Sequence, residues 1–435
     1  MKVIGIDIGT TTISGVVLDT DKEVTLEART VENGSFFQTE HEWERIQDVR
    51  VIIKKALDLT DELLEHFPEA EAIGLTGQMH GIVYVDREGK HLSPLYTWQD
   101  GRGNLPGEDG RTLTEQVLQE TGVSAATGYG LITHLYNIRH DLVPEGAAAL
   151  CTIGDYLGMV LTGRTEPLMH VSNAASLGFF DGQSGTFFRD AIQKTDMDPA
   201  ILPPFTQDFA SLGNYRGIPV ICAIGDNQAS FLGSVGLRPN VLLLNMGTGG
   251  QISALSDRFY EAPGIEARPF VKGKYLLAGS SLCGGRAYAV LERFFRSFSA
   301  FTGSEDRSLY DVLADLAEKG KKEKDRMHVC TAFHGTRVNP DLRGSITNLS
   351  EDNFTPEGLT YGVLEGMARE LYDMYCLMRE GTSLKAEALI ASGNGLRMNP
   401  ILQEICKSMF GADLTLAPYK EEAACGAAIS GTMIL

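Results

Sequence analysis

Val3-Ile4-Gly5-Ile6-Asp7-Ile8-Gly9-Thr10-Thr11-Thr12 is the stretch on which the reading of this chain turns. A near-continuous apolar strand runs into a turn of one glycine and three threonines, and Ile13 to Leu18 leads out as a second strand. The pattern predicts a hairpin. Its turn offers backbone N–H groups and hydroxyls to a polyphosphate, with no side chain on Gly9 to block close approach. Asp7, just before the turn, is placed to hold Mg²⁺ directly or through water. An ordinary hairpin with a polar tip accounts for the same residues.

A related pattern recurs downstream, at Val241-Leu242-Leu243-Leu244-Asn245-Met246-Gly247-Thr248-Gly249-Gly250-Gln251-Ile252-Ser253. Again an apolar strand meets a Gly/Thr turn and leaves by a second strand. One such hairpin in each half of the chain predicts two similar domains facing each other across a nucleotide, a repeat at the scale of half the chain.

With 435 residues the chain exceeds one compact core, and two domains are expected. It is 43% hydrophobic and 22% charged, the composition of a globular protein. The formal net charge of −19 and the lack of a basic run argue against nucleic acid as a partner. In so acidic a chain, backbone N–H groups and Mg²⁺ suit phosphates better than a lysine cluster. The seven cysteines are scattered without metal-ligand spacing and read as reduced thiols of a cytoplasmic protein. Asp7 interrupts the initial apolar stretch, so no secretory signal is read there. No segment approaches the ~20 apolar residues of a membrane span.

Strand and helix signals alternate, which predicts α/β domains with covered sheets. A helix is expected from about Glu40 to His66, with Ile46, Val49, Ile53 and Leu57 at helical spacing. Pro203-Pro204 and the Gly/Pro-rich Gly213 to Pro219 mark the domain boundary, dividing the chain into 1–216 and 217–435.

The chain contains no Walker-type glycine loop and no Rossmann fingerprint, so any nucleotide must use the hairpin turns. Gly225-Asp226-Asn227 follows a strand and opens a helix. Asp226 suits either a helix N-cap or a general base for a substrate hydroxyl. Gln78-Met79-His80, between Gly77 and Gly81, sits past a strand end, where α/β proteins place ligand contacts. A packed Met and a hydrogen-bonded core His is the other reading. Trp98 beside Asp100 and Arg102 offers a flat face to a sugar, or is a surface loop with an ion pair. Ser392-Gly393-Asn394-Gly395 closes a strand with small residues that leave room for a flat ring such as adenine.

Taken in order, Asp7-Ile8-Gly9-Thr10-Thr11, Gly77 to Gly81, Trp98 to Arg102, Gly225 to Asn227, Gly247 to Gly250 and Ser392 to Gly395 resemble the FGGY carbohydrate kinases, and the resemblance runs from Val3 to about Ala428. It implies two ribonuclease-H-like domains of the actin/hexokinase/Hsp70 type with an interdomain cleft. It also implies ATP and Mg²⁺ as cofactors, with the sugar mainly on the first domain and the nucleotide mainly on the second. Asp226 then corresponds to the catalytic base, and Asp7 lies near Mg²⁺. Thr10, Thr11 and Thr12 lie near the transferred phosphoryl group, and Gly247 and Thr248 form the second phosphate turn. Gly393 and Asn394 line the adenosine pocket beside Gly284 and Gly285. Gln78, Met79, His80, Trp98, Asp226 and Asn227 contact the sugar.

The Gly77 to Gly81 segment resembles the ketose branch of that family, the xylulose and sedoheptulose kinases. Asn173 to Asp181, Ser392 to Pro400 and Lys420 to Ala428 lean towards the sedoheptulose members. The expected reaction is therefore ATP-dependent phosphorylation of a primary hydroxyl of a ketose, sedoheptulose first and xylulose or another pentulose second. A non-catalytic sensor of the same fold is a remote alternative, since a sensor has no need of Asp226. A small-molecule ketose is the expected partner, with neither nucleic acid nor membrane, and a homodimer is left open.

Overall fold

The computed structural model describes residues 1–301, 303 and 307–434. The chain forms two compact units. The first comprises Met1–Gly236, Arg268–Gly273 and Tyr419–Leu435, and the second Leu237–Ala267 and Lys274–Pro418.

The sheet of the first unit contains β1 (Lys2–Ile8), β2 (Thr12–Asp19), β3 (Val24–Glu32), β4 (Ala72–Gly77), β5 (Ser211–Tyr215), β6 (Ile218–Ile221) and β7 (Ile224–Gly225). Their order is β5-β6-β4-β1-β2-β3, with β7 also paired to β4. β1 and β2 form the expected hairpin, closed at Ile8↔Ile13, and β1 runs parallel to β4.

Both faces of this sheet are covered, which is why β1 is apolar throughout. Ile4, Ile6 and Ile8 alternate onto the face packed by Ile52, Leu59 and Leu63 of the Val49–His66 helix. Val3, Val16, Leu18 and Ala72 meet Ala424, Cys425 and Ala428 of the Glu422–Thr432 helix on the other. Gly5 and Gly74 lie beneath that second helix with no room for a side chain. A Cβ on Gly5 would stand 1.9 Å from the Ala424 carbonyl oxygen.

The second unit repeats this plan with β8 (Val241–Met246), β9 (Gly250–Ser256), β10 (Ile265–Pro269), β11 (Tyr275–Ser281), β12 (Ala388–Ser392) and β13 (Asp413–Leu416), in the order β10-β11-β9-β8-β12-β13. Along β11-β9-β8-β12-β13 two antiparallel pairings are followed by two parallel ones. The same succession runs along β3-β2-β1-β4-β6. The half-chain repeat read from two turns is thus a repeat of topology. Leu242, Leu244, Ile252 and Leu389 form its core with Leu364 and Leu371 of the Pro356–Gly381 helix and Leu402 of the Pro400–Phe410 helix.

Two expectations differ from the structure. The helix expected from Glu40 begins at Val49, because Ile46–Gln47 pairs with Leu95–Tyr96 and the Asp48 carboxylate caps the helix by accepting from the Arg50 amide. The units divide after Gly236 rather than after residue 216. β6 and β7 pair with β4, and the Asp226–Val235 helix packs closely on Glu422–Thr432, so both stay with the first unit. All seven cysteines are free, and five are buried. Among the described residues, no helix is long and apolar enough to cross a membrane.

Candidate active site

In the first unit the turn between β1 and β2 is held by its carbonyl groups. Asn33 Nδ2 donates to the Gly9 oxygen at 2.8 Å, Gln47 Nε2 to the Thr10 oxygen at 2.9 Å, and the Asn33 amide to the Thr11 oxygen at 2.8 Å. With the carbonyls occupied, donors are what the turn presents, a polarity suited to an anion. Thr11 and Thr12 are exposed. Thr10 Oγ1 accepts from Trp98 Nε1 at 3.0 Å, which ties the sugar-side indole to the turn.

Asp7 ends the apolar run of β1. Its Oδ1 is sealed from solvent and, among the described residues, has no hydrogen-bond partner. Burial, and then the nearby Asp226 and Glu421 charges, push its carboxyl up to about 7. A buried carboxylate oxygen without a donor, beside other carboxylates, fits a divalent cation. Among the described residues, no group of three or more His, Cys, Asp or Glu is placed to hold a metal by itself. Mg²⁺ typically takes one or two carboxylates and fills its shell with water and phosphate oxygens, so Asp7 suffices as an anchor.

A prediction follows from the direction of that shift. A carboxyl whose folded pKa lies above its unfolded value of 3.8 binds more protons folded than unfolded, so stability is lost as pH rises from about 4 through 7. Asp7→Asn removes this cost. In the absence of divalent cations, its thermal midpoint is expected to exceed that of the parent by roughly 5 °C at pH 8 and by less than half that at pH 5. Melts of both proteins at the two pH values check this, and equal midpoints at pH 8 would refute it.

Asp226 is the first residue of its helix. The N-cap position itself is Gly225, with no side-chain capping bond. The Asp226 carboxylate accepts from Asn227 Nδ2 at 2.9 Å and from the Asn227 backbone amide in the first turn of the helix. Burial raises its pKa, opposed by the hydrogen bonds from Asn227 and the Arg268 charge. A carboxylate lifted in this way is a stronger base than an ordinary one.

Gln78, Met79 and His80 lie beside it. Gln78 is buried, and its Nε2 donates to Gln47 Oε1 at 2.9 Å while its own Oε1 has no partner among the described residues. Met79 Sδ accepts a weak contact from Asn227 Nδ2 at 3.8 Å, and a Cβ on Gly225 would lie 2.6 Å from that sulfur. His80 holds a left-handed backbone (φ 71°) and stacks on Tyr129 at 4.7 Å with rings 1° from parallel. The first unit therefore brings Asp7, Thr10, Gln78, Met79, His80, Trp98, Asp226 and Asn227 together around the ends of β1, β4 and β7.

Two local readings are corrected. Asp100 and Arg102 are not a surface pair beside Trp98. They form a buried ion pair at 2.6 Å, with the guanidinium 4.4 Å from the Tyr96 ring centre and its Nη1 bound to Asn137, while Trp98 is 46% exposed. Gly77 and Gly81 serve backbone packing rather than ligand approach, since a Cβ on Gly81 would stand 2.5 Å from the Tyr96 carbonyl oxygen.

In the second unit, the turn between β8 and β9 is braced from below. The Gly285 amide donates to the Gly247 oxygen at 2.9 Å and the Arg286 amide to the Thr248 oxygen at 3.0 Å. Cβ atoms on Gly284 and Gly285 would meet Gly249 and Gly247 at 2.3 and 2.5 Å, so only glycine lets the Gly284–Phe301 helix start against the turn. Gly393 (φ 77°) and Gly395 pack on Met246 rather than leaving open room, with Asn394 between them at the start of a short helix. Among the described residues a Cβ on Gly247 would meet Asn245 Oδ1 alone, at 4.0 Å, so the side-chain face of this glycine is open to a ligand. The residues expected to serve the nucleotide, Gly247, Thr248, Gly284, Gly285, Gly393 and Asn394, are thus neighbours.

Asn33, Gln47, Tyr129, Ser172, Asn173 and Ser176 escaped notice as site residues. Each acts through hydrogen bonds or stacking with a segment distant in sequence, and only the Asn173 stretch carried a signal.

Two α/β units of one topology, each with a Gly/Thr hairpin turn and one with a half-buried carboxylate pair beside it, have the two-domain fold of the actin-like sugar kinases. The chain belongs to the FGGY family of carbohydrate kinases: residues 2–233 match its N-terminal domain and residues 242–435 its C-terminal domain. It is accordingly a phosphotransferase. It is 27% identical over 414 residues to the sedoheptulokinase of Mus musculus, covering 86% of this chain and 85% of that one. The xylulose kinase structure from Rhodospirillum rubrum superimposes with a TM-score of 0.83 at 23% identity, covering 100% and 90% of the two chains. The Plasmodium falciparum glycerol kinase structure with ADP gives 0.81 at 19% identity, covering 99% and 89%.

Proposed function

We propose that this kinase transfers the terminal phosphoryl group of ATP to a primary hydroxyl of a ketose, with sedoheptulose as the substrate and sedoheptulose 7-phosphate as the product. Asp226 takes the hydroxyl proton, and its raised pKa makes it a stronger base than an ordinary carboxylate. Gln78, Met79, His80, Trp98 and Asn227 hold the sugar, with Trp98 giving the exposed flat face. The turn donors at Thr10 to Thr12 receive the transferred group. Gly247 and Thr248 receive the nucleotide phosphates, and Gly284, Gly285, Gly393 and Asn394 flank the nucleoside. Asp7 would hold Mg²⁺, which when bound neutralises phosphate charge. Phosphoryl transfer asks a protein mostly for such alignment and charge compensation.

The observation that carries the choice of sugar is the likeness of this chain, over 86% of its length, to a sedoheptulokinase, with the human sedoheptulokinase at 25% identity beside it. A xylulose kinase is the second reading, favoured by the fit to the solved xylulose kinase from Rhodospirillum rubrum.

ADP release from MgATP with sedoheptulose, D-xylulose, D-ribulose, fructose and glycerol tests both. The expected result is sugar-dependent turnover with kcat/KM for sedoheptulose at least ~10-fold above the others, a modest margin for sugars that differ by hydroxyl-bearing carbons. A preference for xylulose selects the second reading. Turnover independent of sugar would refute both.

A further inference from the structure

Three consecutive residues lead into Asp226, and each is fastened by a different side chain. Asn173 Nδ2 donates to the Ala223 oxygen at 3.0 Å, Thr76 Oγ1 to the Ile224 oxygen at 2.8 Å, and the Gly225 amide donates to Ser172 Oγ at 2.9 Å. All three side chains are buried. Ser172 is itself oriented: its hydroxyl donates to His170 Nδ1 at 2.7 Å, and its amide meets the same nitrogen at 3.2 Å. Burial holds His170 neutral, with its pKa down at about 3, so that nitrogen remains an acceptor.

Asn173 and Ser172 stand on the six-residue helix Val171–Ser176, and its last residue grips the other side of the site. The His80 amide donates to Ser176 Oγ at 3.0 Å, and His80 Nδ1 donates to the Ser176 oxygen at 2.8 Å. The left-handed backbone at His80 is costly for a non-glycine residue and persists where such contacts over-determine it. Ser176 Oγ in turn donates to the Asn173 oxygen at 2.8 Å, so the two grips share one rigid turn of helix.

We infer that Val171–Ser176 is the jig that sets the base against the sugar-side loop. Ser172 and Asn173, with Thr76, position Asp226, and Ser176 positions His80. This rests on the reading of Asp226 as the base. Displacing a reacting group by a fraction of an ångström slows transfer, whereas loosening a sugar contact weakens binding, so the two grips have different kinetic signatures.

The test combines kinetics with amide exchange on the full-length protein. With sedoheptulose, or D-xylulose if that is the sugar turned over, Ser172→Ala and the near-isosteric Thr76→Val are each expected to lower kcat about tenfold with KM for sugar within about twofold. Thr76→Ser, which keeps the hydroxyl, restores kcat. Ser176→Ala is expected to raise KM about fivefold with kcat nearly held. Without any substrate, the Gly225 amide in Ser172→Ala should exchange about tenfold faster, having lost its acceptor.

Unchanged exchange at Gly225, or Ser172→Ala and Ser176→Ala moving kcat and KM in the same proportion, would overturn the inference. Asp226→Asn separates the two layers. An active Asp226→Asn removes the base reading whatever the exchange shows. An inactive one beside a fully active Ser172→Ala removes only the jig.

Discussion

Asp226→Asn is expected to lower the rate of sugar phosphorylation about 10³-fold, with a thermal midpoint within a few degrees of the parent. The substitution keeps the shape of the side chain and its contact with Asn227 but removes the proton acceptor. Stability is little affected because the asparagine oxygen still accepts from the Asn227 amides, and burial already disfavours the ionised carboxylate. A steady-state ADP-release assay at saturating sugar and MgATP reads the loss. The pH profile gives a second check. Activity of the parent falls as pH drops through the raised pKa of Asp226, because the base must be ionised, and that acid limb is expected to vanish in Asp226→Asn. A variant retaining more than a tenth of the parent rate would exclude Asp226 as the base.

Gly426→Ala should be among the most damaging single methyl additions in the first unit. A Cβ there would lie 1.8 Å from the Ala229 carbonyl oxygen, and the reciprocal glycine, Gly233, faces the Glu422 oxygen at 2.0 Å. Both obstacles are helix backbone, which cannot rotate away as a side chain can. The Glu422–Thr432 helix must therefore lift from its partner, and on its other side it rests on Gly5 and Gly74 with no slack. Overpacking of this kind exceeds the usual 1–3 kcal/mol penalty, so a fall in midpoint of at least ~10 °C, or insoluble expression, is expected. Gly122→Ala is the contrast. Gly122 has φ 75° but nothing within 4 Å of its would-be Cβ, so only backbone strain of about 1 kcal/mol applies. Paired thermal melts decide between close packing and strain, and equal losses in the two variants would refute the packing argument. Activity should fall with the fold in Gly426→Ala, because the partner helix begins at Asp226.

The two hairpins were legible because a hairpin is local. The apolar run, the Gly/Thr turn and the return strand lie within about a dozen residues, and their pairing needs no distant partner. One hairpin in each half was enough to forecast two like α/β domains, and the ordered motifs identified the family. Asp226 was visible as a candidate for the same reason, a carboxylate at a strand-to-helix junction. Whether it serves as a base as well as holding a first-turn amide was not visible, because that depends on what the rest of the fold places around it.

Glycine roles were harder to read. Gly77, Gly81, Gly393 and Gly395 looked like room for ligand, yet their missing side chains make way for the backbone of other strands. Asp100 and Arg102 looked exposed because both are charged, and aromatic rings from separate segments enclose them.

Chain order and local pattern sufficed for the identity of the turns, the carboxylates and the kinase family. The division after Gly236, the return of residues 419–434 to the first unit and the grip of Ser172, Asn173 and Ser176 on residues 223–225 and 80 arise only on folding. Gly5 meets Ala424 across more than 400 positions of chain, as counted from their numbers. No local pattern records such a meeting, because a glycine without a side chain and a serine in a short helix acquire their roles from what packs against them.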